Sequence, residues 1–265
     1  MSRAHFTFAR EDDTLIGTLD DGELPVGLLI VTGGNELRSG AFSGQALLAQ
    51  QLSERGYPVL RFDRRGVGDS TGTNGGFRTA GPDIAAAFAA FRDQKPGLRR
   101  IVGYGLCDGA AALMLEGGAG CDALVLANPW TFENEYNDSL PPAAIRERYR
   151  RKLADPREWL RAARGEVSVL KLSQGLKQAF ASPARENALL ADMKSGLADF
   201  GGDIRFLVSG RDRTGLAFAN AWGEDTRIAT FNGADHAFSS LADHAWLRDQ
   251  LLAALEEQAR QLDMG

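Results

Sequence analysis

Cysteine is nearly absent from this chain. Its 265 residues hold two, Cys107 and Cys121, and only three histidines. That supplies neither a disulfide framework nor the spaced Cys/His pairs of a zinc site. Long apolar runs are missing as well. None approaches the ~20 residues that a membrane span requires. The opening stretch, Met1-Ser2-Arg3-Ala4-His5-Phe6, has no apolar core of a signal peptide. The expectation is a cytoplasmic protein with no integral membrane segment. No block of basic residues stands outside the middle of the chain, and the net charge is −5. Both features argue against a nucleic-acid surface. With 44% hydrophobic residues the composition is that of a folded globular protein, long enough for one large α/β domain or two small ones.

Read in order, strand and helix signals alternate. His5 to Leu19 predicts a hairpin in which Phe6 and Phe8 alternate with polar neighbours and Asp12-Asp13 turns the chain. His5 lies in that alternation and reads as structural. Val26–Val31 is a continuous apolar run, as in a strand buried on both faces, and it ends in Thr32-Gly33-Gly34-Asn35. Helical spacing follows from Phe42 to Arg55, stopped by Gly56. Tyr57–Phe62 is a second strand, leading into the loop Asp63–Ser70. Asp83–Phe91 is a helix bracketed by Pro82 and by Pro96-Gly97. Ile101-Val102 and Cys121–Ala127 are further strands, and Cys121 reads as inert core. Such alternation predicts a mostly parallel sheet with helices on both faces.

Composition shifts after Asn128-Pro129-Trp130. Residues 131–199 carry Pro141-Pro142, many basic residues and amphipathic patterns at Ile145–Leu153 and Pro156–Arg161. This segment is expected to be a helical cap over the strand ends, with 1–130 and 200–265 forming the core. The sheet resumes at Asp203–Gly210. A helix is expected at Ala217–Trp222, a last strand at Arg227–Phe231 and a long helix at Leu241–Leu262, where His244 reads as a surface or packing residue.

The chemistry concentrates in Gly103-Tyr104-Gly105-Leu106-Cys107-Asp108-Gly109, which joins the strand at Ile101 to the alanine-rich helix after it. This is the Gly-x-nucleophile-x-Gly pattern of a nucleophile elbow, with cysteine in place of serine. Two loops beyond later strands supply Asp212 and His236. Nucleophile, acid and histidine in that chain order, each just past a strand, predict a triad on one sheet edge. His236 would take the Cys107 proton or pair with its thiolate as imidazolium, and Asp212 would fix its tautomer and stabilise positive charge. Asp235 is a rival acid, but it sits too near His236 in sequence to reach the far ring nitrogen. The N–H of Asp108 and that of Gly34 or Asn35 are the expected oxyanion donors. The Asp108 side chain opposes a thiolate if it points inward.

These pieces resemble the α/β-hydrolase superfamily. More narrowly the chain is similar to the type 1 exosortase A system-associated hydrolases of Gram-negative bacteria. The likeness rests on Thr32-Gly33-Gly34 with Arg38-Ser39-Gly40, Gly56–Asp63, Arg65-Gly66-Val67-Gly68-Asp69-Ser70, Gly105-Leu106-Cys107-Asp108-Gly109, Asn128-Pro129-Trp130, and Arg148–Leu153 with Trp159. A weaker likeness is to dienelactone hydrolases, which also use cysteine at the elbow. In the superfamily the loop Asp63–Ser70 is structural, so Ser70 is not a nucleophile candidate. Arg64 stands where an aromatic is common. The resemblance implies genes near exopolysaccharide and protein-sorting systems and does not fix a substrate; the triad itself calls for a small-molecule acyl substrate and no metal or organic cofactor. The expected activity is cleavage of a carboxylic ester or thioester through an acyl-cysteine. Its alternatives are acyl transfer to a sugar or amine, or a binding protein that has lost catalysis. Oligomeric state is not legible.

Overall fold

The computed structural model describes residues 2–132 and 188–264. The two expected helices at Ile145–Leu153 and Pro156–Arg161 lie outside the described residues. Eight strands form one sheet: β1 (Arg3–Arg10), β2 (Asp13–Asp20), β3 (Val26–Val31), β4 (Val59–Asp63), β5 (Arg100–Leu106), β6 (Ala123–Ala127), β7 (Asp203–Ser209) and β8 (Ile228–Phe231), in the order β1-β2-β4-β3-β5-β6-β7-β8. The pairs β1–β2 and β2–β4 are antiparallel, and from β4 onward every pair is parallel. The hairpin turns one residue earlier than expected. Asp13 pairs with Arg10, so the turn is Glu11-Asp12, with Glu11 at φ 51°.

The apolar strands at the centre are covered on both sides, as their composition requires. All residues of β3, β4 and β6 are buried. Period-2 alternation divides β3 between two cores: Leu29 and Val31 join one cluster, while Val26, Leu28 and Ile30 join the other. The helices are α1 (Gly44–Ser53), α2 (Gly81–Gln94), α3 (Asp108–Leu115), α4 (Ala188–Gly196), α5 (Arg213–Trp222) and α6 (Leu241–Met264). The first core takes Ile84, Ala87 and Phe91 of α2 and the run Ala110–Met114 of α3. The second takes Leu48 and Leu52 of α1 and Leu251 and Leu255 of α6. Leu189 and Met193, one turn apart on α4, are buried against the first core beside α3.

The loop after β4 is a knot of polar contacts. Asp63 accepts from the Arg38 N–H at 2.6 Å and pairs with its guanidinium. Ser70 Oγ donates to the Asp63 carbonyl at 2.8 Å and accepts from the Ile16 N–H at 3.0 Å. Its hydroxyl is therefore spent on the loop. These contacts hold one flank of the edge where β3, β5, β7 and β8 end.

Candidate active site

Cys107 connects β5 to α3 with φ 59° and ψ −122°. A non-glycine residue there carries strain of about 1–3 kcal/mol and persists only where its surroundings over-determine it. They do so from the next strand over. The Cys107 N–H donates to the Ala127 carbonyl at 2.9 Å, and its carbonyl accepts from the Trp130 N–H at 3.1 Å. The flanking glycines are required by contact. A Cβ on Gly105 would stand 2.6 Å from Ala110 Cα, and one on Gly109 would stand 2.4 Å from the Val31 carbonyl oxygen. The side chain of Cys107 is partly exposed, whereas Cys121 is buried in the core. Burial pushes the Cys121 thiol up to about 12.

The loops after β7 and β8 bring two further side chains to this edge. His236 Nδ1 lies 2.9 Å from Asp212 Oδ2. Asp212 is buried, and the same oxygen accepts from the Gly215 N–H at 2.8 Å, capping α5. The imidazole is pulled up to about 10, first by Asp212 and then by Cys107, against the opposing effect of burial. Both neighbours favour the charged form of the ring. Asp235, the rival acid, spends its carboxylate on its own turn. It accepts from the Ala237 N–H at 3.1 Å, the Ser239 N–H at 3.0 Å and the Ser239 hydroxyl.

The expected oxyanion donors meet an unexpected occupant. Asp108 begins α3, and its Oδ1 accepts from the Gly34 N–H at 2.5 Å. Arg64 Nη2 lies 3.6 Å from that same oxygen and donates to the Gly34 carbonyl. Of the two candidates for second donor, Gly34 is thus engaged by a side chain. The Asn35 N–H is engaged by none of the described residues.

A sequence profile of the alpha/beta hydrolase family matches residues 28–250. The chain belongs to that family. Solved structures share the fold at low identity. Esterase Pf2001 of Pyrococcus furiosus is 19% identical with a TM-score of 0.64, over 97% of this chain and 90% of that one. Proline iminopeptidase of Mycobacterium smegmatis is 16% identical with a TM-score of 0.61, over 98% and 100%. Est1E of Butyrivibrio proteoclasticus, solved with ferulic acid, is 13% identical with a TM-score of 0.59, over 95% and 99%. No curated protein matches the chain.

Two supporting residues of this hydrolase escaped the sequence reading as individuals. Asn128 is fully buried at φ 44°. Its Nδ2 donates to Ser209 Oγ at 2.9 Å and to the His236 carbonyl at 3.2 Å, while Oδ1 accepts from the Ser209 N–H at 2.8 Å. It joins the ends of β6 and β7 to the histidine loop. A polar residue closing an apolar strand was its signal. The second, Glu36, accepts from the Ala41 N–H at 2.6 Å and from Gln45 Nε2 at 2.9 Å. Burial raises its carboxyl above the usual range, and it is near enough to feel His236 and Asp108. With Tyr104 and His244 it lines a small cavity.

The other two histidines of the hydrolase make contacts away from Asp212. His5 contacts Thr18 Oγ1 at 2.9 Å, and His244 Nε2 lies 3.1 Å from the Gly44 carbonyl oxygen. Among the described residues no group of three or more His, Cys, Asp or Glu could hold a metal ion. No helix among them is long and apolar enough to cross a membrane.

Proposed function

We propose that the hydrolase cleaves a carboxylic ester or thioester through a covalent acyl-Cys107. The sulfur attacks the acyl carbonyl and forms the S–C bond, and the proton it gives up rests on His236. His236 returns that proton to the leaving alcohol or thiol as the bond to the carbonyl breaks. A water molecule, deprotonated by the same ring, then attacks the thioester and releases the acid and Cys107. Asp212 keeps the imidazolium oriented and stabilised. The N–H of Asp108 and a second N–H from Gly34 or Asn35 receive the negative oxygen. Residues 131–199, read as a cap, select the acyl or alcohol part. The resemblance to exosortase-associated hydrolases implies genes near exopolysaccharide and protein-sorting systems and does not fix a substrate.

The observation that supports this reading best is the 2.9 Å pairing of His236 with Asp212, on a ring whose charge also responds to Cys107. The likeness in fold to a protein described as an esterase agrees with it. The test is intact-mass spectrometry after exposure to a panel of short-chain nitrophenyl esters and acyl thioesters. An acyl adduct that maps to Cys107, and that Cys107→Ala removes together with turnover, is the expected result. Unchanged turnover in Cys107→Ala would end the proposal.

A further inference from the structure

We propose that the Asp108 carboxylate is an internal occupant of the oxyanion hole, and that Arg64 receives it when substrate binds. This rests on the nucleophile reading above and adds two positioning residues to it. Asp108 directly follows Cys107, so its own N–H is one donor of the hole while its side chain engages Gly34, one of the two candidates for the second, at 2.5 Å. A carboxylate oxygen on that N–H is a negative oxygen where the reaction builds one. An N–H makes one strong hydrogen bond, so the acyl oxygen gains Gly34 only after Oδ1 leaves.

The receiving group is already in place. Arg64 sits one residue beyond β4, and its side chain is 3% exposed. Nη2 holds the Gly34 carbonyl, while Nε and Nη1 are buried and have no hydrogen-bond partner among the described residues. Buried guanidinium donors without acceptors are costly and uncommon. At 3.6 Å from Nη2, Oδ1 is an ion-pair contact that stops short of a hydrogen bond. Closing to the ~2.9 Å of a charge-assisted bond needs less than an ångström of travel. Gly33 leaves the room: a Cβ there would stand 3.0 Å from Oδ1 and 3.2 Å from Cys107 Cβ. Charge runs the same way. Asp108 and Glu36 both oppose a third negative group, and a carboxylate drawn onto Arg64 is neutralised as the oxyanion forms.

The test is the pre-steady-state rate of Cys107 acylation by nitrophenyl acetate, read as the nitrophenolate burst in the full-length protein. Asp108→Ala keeps the backbone donor and removes the occupant. It should acylate about tenfold faster than wild type with little change in KM, a lower bound on what one oxyanion donor supplies. Asp108→Asn keeps an uncharged acceptor for Gly34 and should fall between the two. Arg64→Met should acylate about tenfold slower, and the double variant should return to the Asp108→Ala rate. That non-additivity is the mark of a carboxylate with nowhere to go. Should Arg64→Met fail to fold by circular dichroism, the Asp108 series still decides. Wild-type acylation with Asp108→Ala equal or slower overturns this proposal alone and makes Asp108 a loop brace. Absence of a Cys107 adduct in both proteins overturns the nucleophile reading together with it.

Discussion

One oxygen of Asp212 serves both His236 and the helix that follows it. Oδ2 lies 2.9 Å from the imidazole Nδ1 and accepts the Gly215 N–H at 2.8 Å. The cap keeps the carboxylate from rotating, so the ring it faces is held by the first turn of α5. Asn caps a helix about as well as Asp, so Asp212→Asn separates the charge from the cap. On the proposed mechanism, acylation should fall by roughly 10³–10⁴-fold, as when a catalytic triad loses this charge. Circular dichroism should show an intact fold.

The same pair makes stability depend on pH in a defined direction. His236 rises from its ordinary 6.5 to about 10 in the folded protein. A raised histidine contributes stability that is complete below pH 6.5 and is lost as pH climbs from there through about 10. Urea midpoints of wild type and Asp212→Asn should therefore differ most at pH 6 and converge by pH 10. With the side chain 41% exposed, solvent screening keeps the gap small. A gap that widens with pH would contradict the assignment.

The two cysteines should behave oppositely toward iodoacetamide. Cys107 is partly exposed, whereas Cys121 is buried with its thiol pushed up to about 12. Native protein at pH 7.5 should take one label, on Cys107, and take the second only in denaturant. Cys121→Ala should keep full turnover and lose about 1 kcal/mol of stability from the small cavity left behind.

Asn128→Ala should damage both folding and catalysis. It leaves the buried Ser209 N–H and hydroxyl unpaired and releases the His236 carbonyl. A loss of about 2–3 kcal/mol in urea unfolding is expected from unsatisfied buried groups. Turnover at temperatures where the variant is fully folded should still be reduced, because the histidine loop has lost its tether.

Gly109→Ala tests the packing of the elbow. The added methyl would meet the Val31 carbonyl oxygen at 2.4 Å, a backbone atom that cannot step aside. Destabilisation of about 3 kcal/mol or more is expected. Gly201→Ala, where a Cβ meets nothing, is the matched control and should unfold like wild type.

Much of this architecture was readable because it follows from periodicity. Continuous apolar runs marked β3 and β6 as buried on both faces, and alternation marked the opening hairpin. The order of Cys107, Asp212 and His236, each after a strand, carried the expectation that they share one edge, and Asp212 and His236 do stand 2.9 Å apart. What escaped depends on a single torsion or a distant partner. The hairpin turned at Glu11 because a non-glycine residue took positive φ. The side chain of Asp108 met a backbone N–H 74 residues away, and no local pattern encodes that rotamer. Asn128 showed only as a polar residue closing an apolar strand, since its bonds reach Ser209 and His236 far along the chain.

The backbone of Cys107 is pinned by Ala127 and Trp130, residues that follow it by a full helix and strand. The sulfur is present as soon as β5 exists, but its poise arrives only when β6 has docked alongside. A nascent or truncated chain ending before that point would therefore carry an ordinary thiol. Reactivity toward an acyl probe would thus report, from inside the molecule, that assembly of the sheet has passed its sixth strand.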